Sequence, residues 1–402
     1  MVESRRFHPI LCLLFISLIV LGVVARPSPL RRLYFLPILL LTLYILPSTT
    51  GDFVGDYYLG VTWLPWCFFA SDYILLRDQR TLHRVPLNRR ADSPDVKENS
   101  ANIADASLWQ RLKWSIALLS SPRGIGWSHD PTHALPPRPS PDTSRTSFVL
   151  TRLWTAFGFF VLNDACNIYM SWNTMYHVDG PEWTACGWGW RALAGAGWAI
   201  NIYSSMMLNS SLLSAGCVAL GISSPREWPA LYGGPKEAYT VRRFWGRAWH
   251  QLMRSFLTSH GKFVSNTILR LPPGNLASYL QLYIAFAISG LIHHAGDAMA
   301  MRNGIRGGGS VTFFMLQACA ITFEDFLIFL GKKTFKADSD LRKVKKSWVG
   351  LRLVGYVWTW WWLALTLPGW LMPQVRGGLM DGQGLPVSLL LGIWRGEWVR
   401  VR

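Results

Sequence analysis

Eight apolar segments of about bilayer-crossing length constrain this chain more than any other feature: 9–25, 33–50, 54–76, 148–170, 192–220, 276–294, 311–331 and 348–370. A spanning helix needs about 20 predominantly apolar residues. Inside hydrocarbon only a helix or a closed barrel leaves no backbone group unpaired, and runs this long and continuous predict helices. A ninth, shorter candidate covers 385–394. The expected fold class is therefore all-α, a multi-pass transmembrane bundle of about eight spans.

Composition supports a membrane protein. Half of the 402 residues are apolar and only 16% are charged, a balance outside that of ordinary soluble domains. The 22 tryptophans suit membrane interfaces, where the ring and its N–H are both satisfied. A formal charge of +17 raises nucleic acid as a partner, but Arg and Lys fall in the connections between apolar spans and form no soluble basic face. Anionic headgroups or a phosphorylated co-substrate fit that distribution better, and no nucleic-acid partner is expected. Five of the six cysteines (Cys12, Cys67, Cys166, Cys217 and Cys319) lie in apolar spans and Cys186 in a polar connection, which is no disulfide framework and no CxxC metal pattern.

Four regions are expected: N-terminal spans over 1–76, a polar Pro-rich insertion over 77–147, a core with spans and a basic aromatic segment over 148–370, and a tail over 371–402 with a possible short last span. Arg5-Arg6 followed by an apolar run resembles a signal peptide, but the next apolar segment follows within a few residues, so an uncleaved first span is expected. The insertion is expected to be irregular except for an amphipathic piece at 108–119. Lys and Arg number eleven in 77–147, one in 171–191, eight in 221–275, two in 295–310 and seven in 331–347. Because cytosolic loops are enriched in these residues, the first, third and fifth connections should face the cytosol. Threading backwards places Arg5 and Arg6 on the luminal side, against the rule, so one of the first three spans is expected to be re-entrant or misassigned.

The chemistry-bearing residues lie at two places. His293 and His294 close the apolar stretch that begins near Leu276. Ionisable groups at membrane depth are costly and default to a functional reading. A neutral imidazole there can take a proton from a hydroxyl, although a bundle histidine can also simply bond a neighbouring helix. Adjacent residues point about 100° apart on a helix, so one of the pair should face a given cavity. Upstream, 241–256 read as a helix sets Arg243, Arg247, His250 and Arg254 on one face, opposite Trp245, Trp249, Leu252 and Phe256. Two readings stay open: an interfacial helix on anionic lipid, or arginines that hold the phosphates of a nucleotide-bearing donor while His250 points into a reaction chamber. Glu324-Asp325 and Asn163-Asp164 lie within apolar spans and should pair inside the bundle, orienting an imidazolium or meeting an arginine. No HExxH or similar ligand spacing is present, and no metal is expected.

Arg123-Gly124-Ile125-Gly126-Trp127, Trp228-Pro229-Ala230-Leu231-Tyr232-Gly233, Phe244 to Gln251, Phe286 to His293 and Glu324-Asp325 resemble, in that order, the wax synthase-like branch of the membrane-bound O-acyltransferases. The likeness covers roughly 109–370. It is nearest to fungal proteins that acetylate terpenoid or meroterpenoid secondary metabolites. The resemblance implies a helical bundle enclosing an intramembrane reaction chamber, in the endoplasmic reticulum. It further implies acyl transfer from coenzyme A, most often acetyl-CoA, to a hydroxyl of a hydrophobic acceptor, with no permanently bound cofactor. By it His293 takes the place of the family's intramembrane catalytic histidine. His250 stands where relatives commonly carry asparagine, and Arg243, Arg247 and Arg254 would meet donor phosphates. A wax- or sterol-ester synthase is the alternative. A transporter is a third, although no repeated halves are visible.

Overall fold

The computed structural model describes residues 5–87, 103–302, 309–335, 341–380 and 386–399. Among these residues there are twelve α-helices and no β-strand beyond isolated bridges. They are α1 (Ile10–Val24), α2 (Phe35–Ile45), α3 (Phe53–Ser71), α4 (Leu108–Leu119), α5 (Arg145–Trp172), α6 (Trp188–Ala219), α7 (Val241–Arg243), α8 (Arg254–Lys262), α9 (Asn275–Met301), α10 (Ser310–Phe335), α11 (Leu341–Arg376) and α12 (Leu389–Arg395). The chain forms two compact units, Met1–Ala134 with Gln251–Gly307, and Leu135–His250 with Gly308–Arg402. Three stretches among the described residues are long and apolar enough to cross a membrane: Phe53–Leu76, Asn275–Met301 and Ser310–Gly331.

In the first unit α3 and α9 pair along their lengths, and glycines make this possible. A Cβ on Gly60 would sit 2.5 Å from the Ala295 carbonyl oxygen, and one on Gly296 would sit 2.8 Å from the Tyr57 carbonyl oxygen. Small residues let helices approach until backbones touch. Gly60→Ala and Gly296→Ala should each destabilise the protein by about 1–3 kcal/mol through overpacking. Gly158→Ala in α5, where a Cβ meets nothing within 4 Å, is the control and should be neutral or slightly stabilising. Thermal inactivation of the three variants in detergent tests this ranking.

Asp52 caps α3, its carboxylate accepting the Gly55 N–H at 2.7 Å. The helix runs into a π-turn over Asp72–Leu76, completing the span expected at 54–76. The span expected at 33–50 is a 3-10 turn (Pro29–Tyr34) followed by α2 of 11 residues, roughly 16 Å long against a hydrocarbon core of about 30 Å. Alone it is too short to cross. The last carbonyls of α1 lack intrahelical partners and are met by side chains: buried Arg31 donates to the Gly22 carbonyl at 3.0 Å and Gln79 donates to that of Val23. The core gathers Phe15, Trp63, Phe69, Tyr73, Leu118 and Ile292 among others.

The amphipathic piece expected at 108–119 is α4. Ser107 and Gln110 close a reciprocal capping box at its start. Residues 88–102 of the same insertion lie outside the described residues. After α4, Gly124 and Gly126 take φ of +70° and +76°, a region that favours glycine. A Cβ on Gly124 would meet His129 Nε2 at 2.7 Å, the atom that hydrogen-bonds the Tyr73 hydroxyl at 3.0 Å. Burial, then the nearby Arg77 charge, lower the His129 pKa to about 3. Between pH 6.5 and about 3 the unfolded chain therefore binds a proton that the folded chain does not, so stability falls as pH drops through that window. The wild-type thermal midpoint should decline on acidification below pH 6.5, and His129→Phe should flatten the decline. An unchanged slope in His129→Phe would contradict it.

A polar cluster ties the end of α3 to α8. Arg77 grips Asp72 at 2.8 Å and donates to Ser255 Oγ at 3.0 Å and Ser259 Oγ at 2.6 Å. Ser71 Oγ meets His260 Nε2 at 2.7 Å. Removing one partner of such a buried pair costs more than the pair contributes.

In the second unit α5 and α6 form a long helical hairpin joined by an amide ladder. Asn163 donates to the Asn201 carbonyl and to Ser204 Oγ at 3.1 Å, Asn167 donates to Asn163 Oδ1 at 2.9 Å, and Asn201 donates to Asn167 Oδ1 at 2.7 Å. Asp164 Oδ2 accepts the Leu390 N–H of α12 at 2.9 Å. The span expected at 348–370 is the interior of α11, whose 36 residues measure roughly 54 Å. The short last candidate is α12, seven residues long. At the start of α10 a Cβ on Gly309 would fall 1.9 Å from the Gly369 carbonyl oxygen, so α10 and α11 meet there backbone to backbone.

Candidate active site

The basic aromatic segment is not the continuous helix expected over 241–256. It comprises α7, a π-turn over Phe244–Ala248 and an extended residue at Trp249 (φ −72°, ψ 159°), before α8 begins at Arg254. The Trp249 N–H closes the π-turn on the Phe244 carbonyl at 2.7 Å. The Ala248 carbonyl accepts the Gly233 N–H at 3.0 Å, so the 228–233 loop takes up a hydrogen bond that a longer helix would have kept. Only glycine fits at 233, since a Cβ there would lie 2.2 Å from the Arg247 carbonyl oxygen. Arg243, Arg247, His250 and Arg254 therefore share no helical face.

The start of the segment is anchored to α10. Glu324, 6% exposed, accepts the Val241 N–H at 2.6 Å, the Arg242 N–H at 3.1 Å and Trp358 Nε1–H at 2.8 Å. A carboxylate at a helix N-terminus meets two of its orphan donors and its positive dipole end. Thr240 Oγ1 adds the Arg243 N–H at 3.0 Å, and Asp325 forms an ion pair with Arg242. Of the alternatives for Glu324-Asp325, the geometry matches anchoring of this segment. Trp245 Nε1 donates to Gln317 at 3.3 Å, and Gln317 donates to Thr366 Oγ1 at 3.2 Å.

His250 ends the segment in an aromatic nest. Its ring lies 5.8 Å from Tyr232 edge to face and 5.5 Å from Trp249. Burial lowers its pKa to about 4, so the imidazole is neutral near pH 7. Among the described residues none hydrogen-bonds its Nδ1. A neutral ring with a shielded nitrogen can offer or accept one hydrogen bond to a reacting group.

The arginines differ in their engagements. Arg243 pairs with Glu237 and lies over the Tyr239 ring at 4.7 Å. Arg254 donates to Gln251 Oε1 at 2.7 Å. Arg247 is exposed, with no polar partner among the described residues.

His293 and His294 are both half-buried on α9, and His293 Nδ1 is shielded from solvent. Ser289, Gly290, Ala295 and Gly296 around them are buried. Asp297, which the residue pattern assigned no role, is fully buried one turn beyond His293. The i, i+4 spacing that places both on one face is the signal that could have found it. His293 and Arg254 belong to the first unit; His250, Arg243 and Arg247 belong to the second.

Residues 228–316 match the model of the Membrane bound O-acyl transferase family, a stretch that contains the 228–233 loop, the 244–251 segment and the Ser289-Gly290-Leu291-Ile292-His293 block. Acetyltransferase eriL of Hericium erinaceus is 36% identical over 384 residues, covering 94% of each chain. The chain belongs to the membrane-bound O-acyltransferases. Acetyltransferase ple2 of Rhodocybe pseudopiperita is 34% identical over 98% of both chains. O-Mevalon transferase macI of Penicillium terrestre is 30% identical over 78% of this chain and 69% of its own. No solved structure matches. The acyltransferase is thus a membrane enzyme of helical architecture, and the family likeness drawn from its motifs agrees with relatives named acetyltransferases over nearly the whole length.

Proposed function

We propose that this acyltransferase moves an acetyl group from acetyl-CoA to a hydroxyl of a hydrophobic polycyclic acceptor of the terpenoid or meroterpenoid kind, in secondary metabolism. About eight spans would enclose an intramembrane chamber in the endoplasmic reticulum, entered by the donor from the cytosol and by the acceptor from lipid. The observation that carries this reading is the end-to-end similarity to relatives named acetyltransferases, with the histidine-bearing motifs inside the family-matched stretch.

In the proposed reaction His293 takes the hydroxyl proton as the acceptor oxygen attacks the thioester carbonyl carbon. His250, neutral and desolvated, donates a hydrogen bond to the developing oxyanion or holds the acceptor. The carbon–sulfur bond breaks, and the coenzyme A thiolate leaves and recovers the proton from the imidazolium. Direct attack in a ternary complex needs no acyl-enzyme.

Arg247 fits the donor-phosphate role best of the three arginines, since Arg243 and Arg254 are engaged within the protein. Arg247→Ala should raise the KM for acetyl-CoA several-fold and change kcat by less than about twofold, the signature of uniform binding. The opposite split would remove Arg247 from the donor site. Thiol release by membranes given acetyl-CoA or palmitoyl-CoA tests the donor. Acceptor-dependent release from acetyl-CoA is expected, and preference for palmitoyl-CoA would favour a wax- or sterol-ester synthase.

A further inference from the structure

Tyr232 is the residue that meets His250 edge to face, with ring centroids 5.8 Å apart and planes at 83°. It is 5% exposed, and three contacts fix it from other sides. Its ring packs edge to face on Tyr203 of α6 at 4.6 Å and on Trp249 at 5.4 Å, and its hydroxyl donates to Met206 Sδ at 2.9 Å. The next residue, Gly233, is hydrogen-bonded to Ala248, two residues before His250. The loop carrying Tyr232 and the turn carrying His250 are thus one backbone-linked piece, and α6 braces it through Tyr203 and Met206.

His250 itself has little else to hold it. It lies just past the π-turn, next to the extended Trp249, outside any regular helix, and its Nδ1 has no hydrogen bond among the described residues. Besides a hydrogen bond to its own backbone, the contacts that set its rotamer are with the Tyr232 and Trp249 rings. An aromatic edge or face against an imidazole is a directional contact, and a displacement of about 1 Å at a reacting group can cost 10²-fold in rate.

We infer that Tyr232 is a positioning residue for His250: its ring, clamped against α6 by Tyr203 and Met206, fixes the imidazole in the orientation used in acyl transfer. The hydroxyl serves to lock the Tyr232 ring and takes no part in the chemistry. This rests on the assignment of His250 in the proposed reaction.

The test uses the full-length protein in native membranes, with acetyl-CoA and, as acceptor, the organic extract of a strain lacking the gene. Tyr232→Met removes the ring at similar volume and should lower kcat about tenfold while leaving the KM for acetyl-CoA within twofold. Tyr232→Phe keeps the ring and should stay within about threefold of wild type. Tyr203→Leu, which loosens the same cluster without touching His250, should cost less than Tyr232→Met. In a His250→Ala background Tyr232→Met should cost nothing further, since its effect passes through the missing ring.

The same fold loss in that background, or wild-type kcat in Tyr232→Met with His250→Ala impaired, overturns the positioning role and leaves the His250 assignment standing. Equal damage in Tyr232→Phe would shift the role to the hydroxyl and also overturn it. Wild-type turnover in His250→Ala overturns the assignment and the inference together. If Tyr232→Met does not accumulate in the membrane fraction, Tyr232→Leu takes its place. Loss of both proteins makes Tyr232 a structural residue and overturns the inference.

Discussion

His293→Ala is expected to accumulate in membranes at wild-type level and to turn over at least about 10²-fold more slowly, the usual contribution of a positioned general base. His293 is half-buried on a helix whose neighbouring turns are packed by small residues, so truncating it leaves the α3 and α9 backbone contact at Gly60 and Gly296 in place. The loss should therefore appear in kcat. His294→Ala should be milder, because adjacent side chains on α9 diverge by about 100°. Rates of acetyl-CoA consumption, normalised to protein in the membrane, separate the two. Near-normal turnover in His293→Ala, or a larger loss in His294→Ala, would move the base to another residue.

Glu324→Ala should have the largest effect on stability. The substitution strips one acceptor from three donors at once, the Val241 and Arg242 N–H groups and Trp358 Nε1–H. The Val241 N–H is buried, and a buried donor left without a partner costs about 1–3 kcal/mol; the part-buried Arg242 and Trp358 donors add less. The turn that carries Trp245 to His250 would lose its mooring to α10 as well, so kcat should fall with stability. Glu324→Gln retains an acceptor oxygen and should lose less. Asp325→Ala removes the part-exposed ion pair with Arg242, of a kind contributing at most about 1 kcal/mol, and should lose less than Glu324→Ala. Thermal inactivation in detergent orders the three, and a Glu324→Ala protein as stable as wild type would show that the carboxylate does not anchor the segment.

The long helices were legible because hydrocarbon leaves few options for a chain with long apolar runs. The 148–170 and 276–294 segments fall inside α5 and α9, and 192–220 runs one residue past the end of α6. The extensions beyond them were not legible, since α11 continues through Lys- and Arg-rich sequence that periodicity alone reads as a connection. The 241–256 segment failed for a different reason. Its charges and aromatics follow a helical period, but a carbonyl in its last turn is taken by Gly233, and its N-terminus is set by Glu324, more than 80 residues away in sequence. Neither partner can be deduced from local spacing. Likewise, the pairing of Asn163, Asn167 and Asn201 across α5 and α6 required the hairpin, and the pattern alone indicated only that such polar groups must find partners.

The most direct test of the central claim is the metabolite profile of a strain with this gene deleted, complemented by wild type and by His293→Ala. Acetyl transfer to a hydrophobic hydroxyl predicts that an intermediate lighter by one acetyl unit accumulates on deletion, and that wild type but not His293→Ala restores the product. Loss of long-chain esters, or no change in any ester, would contradict it.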